Sequence, residues 1–300
     1  MKSLKKLAGM IGIVILLCGI MTGCSGKRLY SEEELTQIHD VVGAVEQITK
    51  EFQYVIGGSI QSLLEDSSSR ADLMDYVYTR KYDPDKKIIA LTFDDGPSTD
   101  ETNGTSDLLD LLEQYDSKAT FFCLGNRLND ESAPLLKRMV ELGCEIGNHS
   151  YDHAQLTKLD AKGVRDEIDT TNELIKKYSG RDCRIIRPPY GAADNDIVPA
   201  NVSQPFIMWD IDTLGWNAKN AASVISLVEK YKEQDWDGAV ILMHDIHPTT
   251  IEACKTIIPE LVNDGYQLVT VSELAYLKGV KLEPCKSYWG IDEKSTETDY

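Results

Sequence analysis

Positive charge is what this 300-residue chain has least of: 31 Lys and Arg stand against 49 Asp and Glu, a formal net charge of −18. No basic stripe remains to neutralise phosphates, which excludes a nucleic-acid binder. The seven cysteines contain no C-x-x-C pair, so no metal knuckle is spelled out. There is no G-x-S-x-G elbow, no P-loop and no dinucleotide glycine pattern, which removes the serine hydrolases and the commoner nucleotide-binding classes. Internal repeats and low-complexity tracts are absent, and the apolar run Leu7–Ile20 is short for a transmembrane helix. What remains is a chain with 42% apolar residues, enough for one large core with an appendage.

The appendage begins at the N-terminus. Lys2, Lys5 and Lys6 precede the Leu7–Ile20 run, as in a secretory signal. Met21-Thr22-Gly23-Cys24 follows and resembles a bacterial lipobox, in which the cysteine is lipidated and becomes the new N-terminus. An acidic chain gains nothing from a negatively charged membrane surface, so its anchor must be hydrophobic, and two or more acyl chains hold firmly where one does not. Residues 1–23 are thus expected to be a lipoprotein signal peptide, with Cys24 the lipidation site. The protein would then sit on the outer face of a bacterial cytoplasmic membrane. An uncleaved N-terminal anchor is the other reading of the same run. Cys123, Cys144, Cys183, Cys254 and Cys285 stay in the mature chain; a disulfide is permitted outside the cell, but the sequence selects no pair.

Ser31 with Glu34 starts a helix as a capping box, and Leu35, Ile38, Val42, Val45, Phe52 and Ile56 continue it as an apolar stripe. Residues 24–85 are read as lipid anchor and helical spacer. The stripe serves equally to dimerise or to pack on the next domain, so oligomeric state stays open. From Lys86, short apolar runs alternate with helical patterns, the signature of a β/α fold. Strands are expected at 88–93, 119–124, 144–147, 183–187, 205–209, 239–243 and 267–271. Helices are expected at 106–114, 133–142, 161–178, 221–231, 250–263 and 271–277. The predicted architecture is an α/β fold, a distorted (β/α) barrel of seven to eight strands over residues 86–280. A polar tail, 281–300, is expected to fray, with Trp289 as the one residue able to tie it down.

The chemistry-bearing residues fall at the C-terminal ends of these strands, the rim where β/α barrels build active sites. Asp94 and Asp95 follow the first strand, His149 and His153 the third; Arg187 ends the fourth. Asp210 and Asp212 end the fifth, and His244 and Asp245 the sixth. One carboxylate with two imidazoles is a zinc-type ligand set that leaves a position open for water, and a second carboxylate beside it is free to act as a base. Each cluster alone has a bland explanation as a turn or a surface pair; their coincidence on one rim does not. His39 has no evident partner, and His247 is read as a loop histidine because the ligand set is already complete.

Taken in order, TFDDGP (Thr92–Pro97), HSYDH (His149–His153), RPPYG (Arg187–Gly191), DTLGW (Asp212–Trp216) and LMHD (Leu242–Asp245) make the chain resemble the NodB-like polysaccharide deacetylases, carbohydrate esterase family 4. The resemblance implies metal-dependent removal of acetyl groups from N-acetylated sugars, most naturally N-acetylglucosamine of a cell-envelope glycan such as peptidoglycan. Chitooligosaccharide, poly-N-acetylglucosamine and O-acetylated xylan are alternatives. It implies one divalent ion on Asp95, His149 and His153; zinc suits that set, and cobalt, nickel or iron(II) also fit. Asp94 would be the general base, Arg187 its contact, His244 the general acid and the backbone N–H of Tyr190 an oxyanion donor. Trp216, Leu242 and Pro189 would line the substrate pocket. One position departs from the family pattern. The Asp usual before the motif-four Trp, which pairs with the catalytic histidine, is Gly215 here. A histidine without its carboxylate is less well oriented and holds its proton less firmly, so Asp212, Asp210 or Asp245 is needed as a substitute. Without one, a glycan-binding lipoprotein that has lost catalysis is the competing reading.

Overall fold

The computed structural model describes residue 83 and residues 85–231 and 236–291. The signal segment, Cys24, the helical spacer up to residue 82 and the last nine residues lie outside the described residues. Among the described residues, no helix is long and apolar enough to cross a membrane.

The centre of the sheet is β1 (Ile88–Asp94), buried at every position. An almost unbroken apolar run is what a parallel strand covered on both faces requires. Strands β2 (Thr120–Cys123) and β6 (Val240–His244) flank it, both in parallel register. Outside them lie β3 (Glu145–Asn148) and β5 (Ile211–Asp212), giving the order β3-β2-β1-β6-β5. A further strand, β7 (Gln267–Leu268), pairs with Ile88 and Ile89 below the stretch that β2 takes. A separate parallel pair, β4 (Phe206–Ile207) with β8 (Ser287–Tyr288), is joined to β3 through bridges at Ile186. The result is a parallel α/β fold, a distorted barrel whose hydrogen bonding does not close the ring.

Helices cover the sheet: α1 (Thr105–Gln114), α2 (Ala133–Glu141), α3 (Ala161–Ser179), α4 (Ile197–Asn201), α5 (Ala221–Tyr231), α6 (Pro248–Asn263) and α7 (Val271–Leu277). Alternation along β1 divides the core. Ile89, Leu91 and Phe93 pack with apolar residues of α1, α2 and α6, while Ile88 and Ala90 pack with Val271 and Leu274 of α7. The 19-residue α3 begins at Asp160, whose carboxylate accepts from the Gly163 N–H at 2.8 Å, and ends at Gly180 in the left-handed region (φ 76°).

Three features differ from the sequence reading. The expected strand 183–187 is reduced to Ile186 alone, which bridges Asn148 on one side and Phe206 on the other, because Pro188 and Pro189 carry no N–H with which to continue a ladder. Strand β5 and the short helix α4 lie where no element was expected, each too short to leave a periodic pattern. The tail does not fray at its start. Residues 287–288 form β8, Tyr288 is buried, and its hydroxyl donates to the Lys281 carbonyl at 2.8 Å and accepts from Glu283 N at 2.7 Å.

Candidate active site

Asp95 leaves the end of β1 in the left-handed region (φ 70°), and a cis Gly96–Pro97 peptide follows. Across the rim, the turn after β3 is organised by Asn148, a residue the sequence reading did not single out. Its Oδ1 accepts from Ser150 N at 2.7 Å, and its Nδ2 donates to the Ile168 carbonyl and the Asn172 side chain. Ser150 Oγ accepts from His153 N at 3.1 Å, and Glu167 accepts the N–H groups of Tyr151 and Asp152. These bonds hold Ser150 and His153 at φ 69° and 68°, conformations that non-glycine residues rarely keep unaided. The turn therefore presents both imidazoles to one point.

That point is where Asp95 projects. One ligand atom each from Asp95, His149 and His153 lies within 4.8 Å of the others. The Nε2 atoms of His149 and His153 stand 3.5 and 3.6 Å from Asp95 Oδ1. The Nδ1 of His149 lies 2.6 Å from the carbonyl oxygen of Arg187, which only accepts, so Nδ1 carries the proton and Nε2 offers its lone pair. Burial also lowers the pKa of His149, favouring the neutral ring that a metal requires. Asp95 Oδ1 is buried with no hydrogen-bond partner. A hard carboxylate oxygen without a partner and two imidazole nitrogens fit a divalent ion.

Beside this cluster, Asp94 is held by Arg187. Arg187 is fully buried, and its guanidinium donates through Nη1 to Asp94 Oδ1 at 2.8 Å and to Thr92 Oγ1 at 2.7 Å. Its Nε and Nη2 donate to the carbonyls of Ile207 and Met208 at 2.9 and 2.8 Å. The cation rests over the Phe122 ring at 4.2 Å, with Trp209 on it at 5.7 Å. Burial pulls the Arg187 pKa down, opposed mainly by the Asp94 charge. With Oδ1 committed, Asp94 turns Oδ2 toward the cluster, 3.6 Å from His149 Nε2.

The remaining rim residues surround this pair. Tyr190, exposed and at φ 62°, sets its ring edge-on to His153 at 4.6 Å, above the buried Pro189. Trp216 is exposed on the turn Gly215–Asn217. That turn is tied to β6 by Thr213, which donates twice to the Leu242 carbonyl. The β1–β6 register sets His244 directly beside Asp94. His247 sits at the N-cap of α6 with its ring 6.0 Å from His244.

None of the three proposed substitutes reaches His244, whose Nδ1 is buried without a partner. Asp212 accepts from Leu214 N at 2.8 Å. Asp210 is not on this rim at all: its carboxylate accepts from Val240 N at 2.7 Å, at the opposite end of β6, because the chain bends between β4 and β5 rather than continuing one strand. Asp245 accepts from the Thr105 hydroxyl beneath the Gly96 turn, where burial pushes its carboxyl up to about 7. A Cβ at Gly215 would meet Thr250 Oγ1 at 2.6 Å, and that hydroxyl too is buried without a partner. Thr92, Asn148, Glu167 and the Thr105–Asp245 contact were not legible as site residues, since they act through partners distant in sequence.

Residues 81–206 match the polysaccharide deacetylase family. The chain is 37% identical over 234 residues to the peptidoglycan-N-acetylmuramic acid deacetylase PdaC of Bacillus subtilis, covering 78% of this chain and 48% of that protein. It is 41% identical over 203 residues to the peptidoglycan-N-acetylglucosamine deacetylase PgdA of Listeria monocytogenes, covering 68% and 41%. It thus spans about half or less of the length of these curated relatives. The solved structure of PdaC superimposes with a TM-score of 0.61 at 41% identity, covering 66% of this chain and 94% of that one. A family 4 acetyl xylan esterase from Clostridium thermocellum, solved with a cobalt ion, gives 0.62 at 36% identity, covering 68% and 99%.

Proposed function

Because the chain belongs to the polysaccharide deacetylase family, we propose that it is a metal-dependent hydrolase removing N-acetyl groups from N-acetylglucosamine residues of a cell-envelope glycan, peptidoglycan being the substrate. The observation that carries this reading is the placement of Asp94 Oδ2 against an open three-donor cluster. Asp95, His149 and His153 hold the ion, zinc being favoured by a His2Asp set. A divalent ion there supplies Lewis acidity and makes water a stronger acid. Asp94 takes the proton of the attacking water at Oδ2, its orientation fixed by Arg187 through Oδ1. The Tyr190 N–H stabilises the oxyanion as it develops. His244 gives a proton to the departing sugar nitrogen, and Trp216, Leu242 and Pro189 wall the acetyl pocket. The match of Met21–Cys24 to a lipobox supports anchoring through lipidated Cys24 on the outer face of the membrane, where peptidoglycan lies.

The likeness to an acetyl xylan esterase favours a second reading, hydrolysis of O-acetyl esters on xylan. Both readings are tested by acetate release from N-acetylglucosamine oligomers, purified peptidoglycan and acetylated xylan. The protein is stripped of metal and then reloaded with zinc, with Asp94→Asn alongside. Zinc-dependent release from peptidoglycan that disappears in Asp94→Asn is the expected result. Release from xylan alone establishes the second reading. No release from any substrate while zinc still binds turns the reading to a glycan-binding protein disabled at Gly215.

A further inference from the structure

One cation on the rim takes no part in the chemistry described above. Past the end of β2 the chain runs through Leu124 into a short turn, Gly125–Arg127. Three backbone bonds clamp this segment: Leu124 N donates to the Gly96 carbonyl at 3.1 Å, Gly125 N to that of Ser150 at 3.0 Å and Asn126 N to that of Tyr151 at 2.8 Å. A Cβ on Gly125 would stand 2.4 Å from Thr171 Oγ1 and 2.7 Å from the Tyr151 ring, so the turn lies this close only as glycine. Arg127 is thus carried on a fixed turn, wedged between the loop that holds Asp95 and the loop that holds the two histidines.

Its side chain is exposed and, among the described residues, forms no hydrogen bond or ion pair. Arg138, by contrast, pairs with Asp110 and Glu113, Arg165 bonds Asn201, and Arg187 holds Asp94. In a chain with 49 acidic residues against 31 basic ones, an arginine left without a carboxylate stands apart. The Arg127 charge acts on Asp245 and His247, which follow β6 on the other side of β1, so the guanidinium leans over the end of that strand. His247 is half-buried there, its ring 6.0 Å from His244. Burial lowers its pKa, and the His244 and Arg127 charges add to this, so His247 offers a neutral ring N–H while Arg127 supplies the charge.

We propose that Arg127, with His247 beside it, is a carboxylate-recognition site at the mouth of the metal-type cluster, taking an acid group borne by the residue next to the one that is deacetylated. The inference rests on the functional reading above, that the substrate is peptidoglycan. That glycan offers such a group in two forms, the lactyl carboxylate of a bare muramic acid and the carboxylates of a stem peptide. A guanidinium fork meets a carboxylate through two parallel N–H bonds, which selects direction as well as charge. An uncharged chitooligosaccharide gives Arg127 nothing to pair with. A protein of net charge −18 repels an anionic polymer at a distance, so a local cation decides where that polymer is received.

The test measures kcat/KM of the zinc-loaded full chain on three substrates. They are the N-acetylglucosamine pentamer, an oligomer of N-acetylglucosamine alternating with bare muramic acid, and the same oligomer carrying stem peptides. Arg127→Gln is expected to lower kcat/KM about fivefold on an anionic oligomer and to keep the pentamer within twofold, the scale of a charge pair open to water. Arg127→Glu should widen this split, Arg127→Lys should restore part of it, and about 0.5 M salt should erode the wild-type preference. Loss on the bare oligomer assigns the lactyl carboxylate, and loss on the peptide-bearing one assigns the stem. An equal change on all three substrates, or none on any, overturns the site. If the wild type releases acetate from neither anionic oligomer, the peptidoglycan reading fails, and binding alone judges the site. Calorimetric titration with N-acetylmuramic acid and muramyl dipeptide then supports it if the wild type binds and Arg127→Gln does not. Equal binding by both proteins, or none by the wild type, ends it.

Discussion

The two ends of the sheet both contain buried polar groups, and they treat them in opposite ways. At the strand-start end, Lys118 is paired with Glu273, and the Glu273 carboxylate also closes the capping box of α7 with Thr270. Glu145 accepts from Ser272 N, the Ser272 hydroxyl and the Thr120 hydroxyl, and Thr120 in turn accepts from Val271 N. Burial raises both glutamate pKa values, yet each oxygen of this network has a protein partner. At the strand-end rim, Asp95 Oδ1, His244 Nδ1, Asp245 Oδ1 and Thr250 Oγ1 are the buried side-chain atoms without one among the described residues. The same rim carries Asp95, Ser150, His153, Tyr190 and Leu214 at positive φ. A protein satisfies its buried polar groups unless they serve something outside the chain. One end is built to hold the fold, and the other keeps valences and strain for a ligand.

The largest effect that would break this contrast is at the rim. Asp94→Asn removes the free Oδ2 base and is expected to lower kcat/KM about 10³-fold, read by acetate release; a loss under tenfold would take the general-base role from Asp94. At the other end, Lys118→Ala leaves Glu273 buried without its cation. It should cost about 3–5 kcal/mol in denaturant unfolding while kcat of the folded fraction stays within twofold. Comparable damage to kcat would show that the two ends are coupled.

Smaller changes sharpen the comparison. Burial moves the Asp245 carboxyl from an ordinary value of 3.8 to about 7 in the folded protein. Its stabilising contribution is thus fully present below the unfolded value and is lost as pH rises through about 7. In metal-free protein, this contribution lowers Tm between about pH 4 and pH 7, and Asp245→Asn should flatten that fall; an identical slope in the variant would refute it. The smallest expected effect is at Gly215. Aspartate there must displace the Thr250 hydroxyl, 2.6 Å from its Cβ, before it can orient His244. Gly215→Asp alone should raise kcat no more than about threefold, and with Thr250→Ala by roughly tenfold, within the range that positioned acid catalysis supplies. A drop in kcat in both, with Tm unchanged, would mean that His244 is already correctly held.

Much of the rim was legible in the sequence because its chemistry is spelled in residue types at strand ends. An apolar run followed by Asp94-Asp95, or by the His149–His153 pair, suggests a site from local pattern alone. Arg187 was legible only as the end of a strand. That it is fully buried, with donors on Thr92, Asp94 and the carbonyls of Ile207 and Met208, depends on three segments meeting. Asp210 and Asp212 show the limit most clearly. Two positions apart in sequence, they look interchangeable, yet the parallel register sets the Asp210 carboxylate on Val240 N at the start of β6 and Asp212 opposite Leu242, nearer the rim. The strand β8 was missed because two residues paired by backbone bonds leave no hydrophobic period.

By itself, then, the sequence determined the class of fold and the inventory of donors. Burial of a parallel strand demands an apolar run, and metal and proton chemistry demand particular side chains, so both are written locally. Only the tertiary structure decided which oxygen of Asp94 is free, which nitrogen of His149 faces the cluster, and that His244 Nδ1 has no partner. The physical reason is register. Hydrogen-bond partners across a parallel sheet come from segments far apart in the chain, and packing, not local pattern, sets which residues stand side by side.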